Sequence, residues 1–263
     1  MSESTTPSTV TRSDAGGVAT VTLQRPALSS ALRRELLAVV EEVAADESVR
    51  AVLLTGTGRA FCVGQDLAEH VESLRGNAET SLSVVEEEYN PLILALAALR
   101  VPVVVAINGA CAGAGLGIAL AGDLRIAAAG AKFTTAFTGI GLSSDSALAA
   151  RLVRSIGVSR ATQLLLLPEP ILAETAGEWG LVHRVVPPEQ VLPEAQALAG
   201  RLAAGPTASY RAVKTVLATA ATDSLAETLA LEARLQTELG RTADHHEAVE
   251  AFLAKRAPEF TGR

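Results

Sequence analysis

Cysteine is scarce in this chain. Of its 263 residues only Cys62 and Cys111 are cysteines. They share no CxxC or Cys/His spacing, so they read as small buried residues, which speaks against a disulfide framework or a thiolate metal site. Histidine is nearly as rare, with four in all. His245 and His246 are adjacent, diverge on a helix and form no ligand pair, so no structural or catalytic metal is expected. Aromatic residues make up 3% and charged residues 19%, with a formal net charge of −7. A chain so acidic lacks the clustered basic face that a nucleic-acid partner requires, although a few local Lys or Arg suffice for a phosphate-bearing small ligand. Also missing is any unbroken apolar run of roughly 18 residues, the length a membrane-crossing helix needs. The stretch 1–14 is rich in Ser and Thr and has no apolar signal-peptide segment. It reads as a flexible tail, and the whole as a soluble, cytoplasmic protein.

What is present is hydrophobic: 49% of residues, dominated by Ala, Leu and Val. That is enough for one large core with a helical appendage. Gly17 to Leu23 (GVATVTL) has the β-branched content of a strand, and Leu32, Leu36, Val39, Val40 and Val43 recur at helical spacing. Val49 to Leu54 and the wholly apolar VPVVVAI (101–107) read as strands covered on both faces. Leu124 to Ala127 and Lys132 to Thr134 are further strand candidates. From Ser146 the pattern turns almost entirely helical, with candidates at 146–153, 159–166, 172–179, 189–204, 208–219, 225–240 and 244–255, and another helix is expected from about Glu79. An α/β class follows: an α/β core over 15–190 and a helical region over 191–263, with no repeat or low-complexity linker between them.

Three segments have the residues that chemistry needs. The first, GTGRAFCVGQDL (56–67), follows a strand and sets Gly64 before Gln65. A glycine there permits a sharp turn that points the next N–H at a ligand, though it equally serves an ordinary strand-to-helix turn. The second, NGACAGAGLGIALAGD (108–123), runs from a strand into a small-residue helix whose N-terminal N–H groups favour developing negative charge. Residues 113–117 read GxGxG, not GxGxxG, and Lys132 and Phe133 stand near the place of the expected acidic partner, so dinucleotide binding fails. Two such turns, each offering one N–H, are what an oxyanion hole requires. In the third, KFTTAFTGIGLSSDSAL (132–148), Asp145 follows Phe137, Ile140 and Leu142. Asp145 suits a helix cap, and in an apolar pocket it also suits a base with a raised pKa.

Together RPALSSAL, AFCVGQDL, VPVVVAINGACAGAGLGIALAGDLRIA, AKF, EWGLVHRVVP and FLAKRAPEF, in this order over essentially the whole chain, resemble the crotonase (enoyl-CoA hydratase/isomerase) family. The resemblance implies a spiral of ββα units with a C-terminal helical trimerisation region, assembled as a homotrimer or a dimer of trimers. It implies an acyl-CoA thioester substrate and no metal or separate cofactor, coenzyme A arriving as part of the substrate. By position it assigns the oxyanion N–H groups to Gln65 and Ala114, the latter replacing the family's usual Gly. Coenzyme A contacts fall on Ser29, Ala31, Val63, Gln65, Asp66 and Leu67. A neighbouring subunit's Phe252 and Lys255 would join them, although plain helix packing and a solvated charge explain these two equally well. The two glutamates of the family's hydratases fall on Gly117 and Phe137, neither of which holds a proton. Asp145, within AFTGIGLSSDS, matches the single catalytic Asp of some isomerases, with Phe137, Ile140 and Leu142 lining the acyl pocket. The resemblance therefore implies an isomerase over a hydratase, although SSDSALAARL lacks the Pro and paired Gly usual around that Asp. A dehalogenase reading lacks its helix His, and Trp179 is expected to be a packing residue.

Overall fold

A computed structural model describes residues 8–167 and 169–263. Six strands form the main sheet in the order β1-β2-β4-β7-β9-β12: β1 (Val10–Ala15), β2 (Val18–Leu23), β4 (Ala51–Gly56), β7 (Val103–Ile107), β9 (Leu124–Ala128) and β12 (Arg184–Val186). Only β1 pairs antiparallel, with β2. Every residue of β7 is buried, as an apolar run between two covering layers requires. A second sheet, ordered β11-β10-β8-β5, collects the short strands β5 (Ala60–Cys62), β8 (Ala110–Ala112), β10 (Lys132–Thr134) and β11 (Ile171–Leu172). A two-stranded ladder joins β3 (Ala27–Leu28) to β6 (Gly64–Gln65).

The helices follow in register with these strands. They are α1 (Ser30–Ala45), α2 (Leu67–Gly76), α3 (Asn90–Ala98), α4 (Ala114–Ala121), α5 (Leu148–Leu166), α6 (Ala173–Glu178), α7 (Val191–Ala203), α8 (Thr207–Thr219), α9 (Leu225–Leu239) and α10 (Ala243–Ala254). Each of β4, β7 and β9 passes to a short strand of the second sheet and then, after a connection, to a helix. These are the repeated ββα units of the crotonase spiral. Helix α1 buries Leu32, Leu36, Val40 and Val43, and α7 packs across β4, β7 and β9.

Four expectations change. The stretch 1–14 is not all tail: Val10 to Asp14 belong to β1, which the β2 edge holds, whereas residues 1–7 lie outside the described residues. The helices expected at 146–153 and 159–166 are one element, α5, broken at Gly157 (φ 77°, ψ 163°). The helix expected from Glu79 starts later, as a π-turn over Val85–Tyr89 leading into α3. The Asp145 side chain does not cap α5. Ala147 holds the cap position without a side-chain hydrogen bond, and Asp145 contributes only its carbonyl, which accepts the Leu148 N–H at 2.9 Å.

Ser146 and Ala147 both take left-handed backbone, with φ 54° and 56°. Such φ values cost an L residue more than they cost glycine. Ala147→Gly is therefore expected to stabilise the fold by about 0.5–1 kcal/mol, raising Tm by about 1–4 °C in a thermal melt.

Candidate active site

Two glycine-dependent turns meet at the mouth of one cavity. Gly64, at φ 86°, lies so close to the second turn that a Cβ there would sit 3.2 Å from the Ala112 carbonyl oxygen and 3.5 Å from the Ala114 nitrogen. One residue beyond Ala114, a Cβ on Gly115 would come within 2.4 Å of the Cys62 carbonyl oxygen. Backbone approach this tight is open only to glycine, and it sets Gln65 and Ala114 on the wall of the same cavity, of about 460 Å³. Ala114 opens α4, whose first N–H groups have no intrahelical carbonyl to bond, so this end of the cavity favours an oxyanion. Ala114 is not among the left-handed residues, so alanine is tolerated where the family usually has glycine.

Val63, Leu67, Leu82, Phe137, Ile140 and Leu142 make the cavity largely apolar, with Asp145 facing it among them. Burial raises the Asp145 pKa above the ordinary carboxylate value, and a hydrogen bond from the Ser146 hydroxyl opposes this in part. That bond runs from Ser146 Oγ to Asp145 Oδ1 at 2.7 Å. Such a carboxylate can exchange a proton closer to neutrality than an exposed one. Gly117 is closed off: a Cβ there would lie 2.6 Å from the Ser146 Cβ and 2.9 Å from its carbonyl oxygen.

Behind this wall Arg33 is 4% exposed, donates through Nε to Glu88 at 2.6 Å, and lies 5.0 Å over the ring of the buried Tyr89. Glu69 of α2 accepts the Ser30 N–H at 2.8 Å. The Glu69 contact holds α2, and with it Leu67, against α1, while Arg33 ties α1 to the turn ahead of α3.

The remaining sequence-derived residues have other places. The Ser29 hydroxyl accepts the Leu32 N–H and caps α1, and the Asp66 carboxylate accepts the Ala68 and Glu69 N–H groups and caps α2. Ala31 is exposed, and none of these three lines the cavity. Phe252, 82% exposed on α10, and Lys255, just beyond it, also lie off the cavity wall. Trp179 packs against the core, with the Arg160 guanidinium 5.3 Å from its ring centre. Sequence reasoning missed His70 and Leu82. His70 lines the cavity, and its Nδ1 is buried without a hydrogen-bond partner. Its spacing of three from Leu67 on α2 was the available signal. A larger groove, of about 770 Å³ between α8 and α9, carries Glu232 as its one charged group and no facing N–H turns. The smaller cavity is therefore the candidate site.

A protein-family model described as enoyl-CoA hydratase/isomerase matches residues 13–263. A Rhodobacter capsulatus protein named "probable enoyl-CoA hydratase" is 46% identical over 252 residues, 94% of this chain and 95% of that one. The 1,2-epoxyphenylacetyl-CoA isomerase of Escherichia coli is 43% identical over 251 residues, 94% of this chain and 96% of that one. A solved structure of an enoyl-CoA hydratase/isomerase-type protein from Mycobacterium abscessus is similar with a TM-score of 0.95 and 52% identity, over 97% of this chain and 100% of that one. The chain belongs to the enoyl-CoA hydratase/isomerase family.

Proposed function

We propose that this chain is an acyl-CoA isomerase that moves a double bond through an enolate, with Asp145 as the acid/base. The observation that carries this reading is the single carboxylate on the cavity wall. Among the described residues Asp145 is the only Asp or Glu that lines it. Delivery of water by two glutamates would need carboxylates at positions 117 and 137. Ser146 fills the first place and Phe137 belongs to the apolar wall. One carboxylate suffices for isomerisation: it takes a proton from C2 of a 3-enoyl thioester and returns it to C4. The Gln65 and Ala114 N–H groups would hold the thioester oxygen as charge develops, an arrangement in which losing one donor typically costs about 10²–10³-fold in rate. Coenzyme A would enter as part of the substrate, with no separate cofactor. The apolar side chains that α9 and α10 leave exposed, among them Leu225, Leu229, Phe252 and Leu253, would form the trimer contacts.

The test is incubation with 3-enoyl-CoA and, separately, 2-enoyl-CoA thioesters, followed by mass and chromatography. Formation of the 2-enoyl isomer without a water adduct is the expected result. A water adduct would replace this reading with a hydratase. Tight thioester binding without α-proton exchange in heavy water would replace it with a non-catalytic acyl-CoA binding protein.

A further inference from the structure

We propose that Ser146 is a positioning residue for Asp145, its hydroxyl holding the carboxylate by Oδ1 so that Oδ2 is left to exchange the substrate proton. This rests on the isomerase reading above and extends it to a residue outside the cavity lining.

Neighbouring side chains along a chain usually diverge, so a hydroxyl one residue after a carboxylate ordinarily points away from it. Here the left-handed backbone at Ser146 and Ala147 folds the chain back, and Ser146 Oγ donates to Asp145 Oδ1 at 2.7 Å. L residues avoid this conformation, and it persists only where the surroundings over-determine it. Three contacts do so. The Leu148 N–H bonds the Asp145 carbonyl at 2.9 Å, and the Arg151 N–H bonds the Ala147 carbonyl at 3.1 Å. Ser146 itself is 1% exposed, seated in the space that the missing side chain of Gly117 leaves in α4. Glycine at 117 thus does more than omit a carboxylate: it makes room for the residue that aims the remaining one. Among the described residues no other side chain donates to Asp145. Two titratable groups stand near it: burial holds Tyr89 well above its usual range, while His70 faces the cavity from α2.

Two readouts test this. The first needs no substrate: the Asp145 carboxyl carbon is titrated by ¹³C NMR in the full-length protein, its signal assigned by its absence in Asp145→Asn. A hydrogen bond to an ionised group stabilises it enough that Ser146→Ala should raise the Asp145 midpoint by about one pH unit. Ser146→Gly should do the same, because glycine accepts the left-handed backbone, and it serves where the alanine variant does not fold. The second readout is turnover of 3-hexenoyl-CoA against pH. The acid limb should move up by the same amount and the plateau kcat fall about ten-fold, with KM unchanged. A limb belonging to His70 would not follow the Ser146 hydroxyl. An NMR midpoint unmoved in both variants overturns the assignment, whatever the substrate. So does a fall in kcat with the limb unmoved, which marks a merely structural role. Asp145→Asn retaining full turnover overturns the isomerase base itself, a separate failure.

Discussion

Asp145→Asn is expected to lower isomerisation of 3-enoyl-CoA by about 10²–10⁴-fold, the usual contribution of a positioned acid/base. The substitution keeps size and shape, and the oxyanion donors proposed at Gln65 and Ala114 are backbone groups on the cavity wall, so thioester affinity should change little. Steady-state kinetics should therefore show the loss in kcat with KM nearly constant, the pattern of an interaction made in the transition state. Stability should move the other way. Burial raises the folded pKa of Asp145, so the folded state binds its proton more tightly than the unfolded chain does. Stability at this group is full below the unfolded carboxylate value of about 3.9 and is lost as pH rises through the folded pKa. Asn carries no charge to desolvate, so Asp145→Asn should melt at or slightly above the wild-type temperature at pH 7. A variant as active as wild type would remove Asp145 from the mechanism.

The second large effect is expected at Gly117. Gly117→Glu would insert the carboxylate that the resemblance assigns to hydratases. It should not create a hydratase. Its Cβ would meet the Ser146 Cβ at 2.6 Å and carbonyl oxygen at 2.9 Å, and the position is buried inside α4. Overpacking typically costs about 1–3 kcal/mol, and an unpaired buried charge adds several more. A loss of at least about 4 kcal/mol, or roughly 10 °C in Tm, is expected, with poor soluble yield. Gly117→Ala should show the steric part alone, about 1–3 kcal/mol. If Gly117→Glu folds and adds water to 2-enoyl-CoA, the Ser146 turn yields easily, and the missing carboxylate rather than the packing around Gly117 is what excludes hydration.

Much of the site was legible because its parts are local. Gly64 before Gln65 and the small residues from Gly113 follow recognisable strands, and glycine in such a turn has a backbone reason to be there. The apolar run Phe137, Ile140, Leu142 ahead of Asp145 likewise left a carboxylate in an apolar pocket open as one of two readings, and the cavity collects all four residues. The short strands β5, β8 and β11 were not legible, because two or three residues carry too little periodicity and form only through pairing with distant partners. Val10 to Asp14 read as tail for a similar reason: their polar residues look unstructured until the β2 edge supplies hydrogen bonds. Ser29 and Asp66 sat inside family motifs, yet their side chains cap α1 and α2, roles that Ser and Asp before a helical run also announce.

By itself the sequence determined the α/β class, the two glycine turns and Asp145 as the ionisable group of an apolar segment, since each rests on periodicity or residue chemistry along a short stretch. Only the tertiary structure decided that Ser146 folds back onto Asp145, that it does so in the room left by Gly117, and that His70 joins the cavity wall. Those facts depend on which distant segments touch, and contact between α4 and the start of α5 leaves no period or motif in the chain that encodes it.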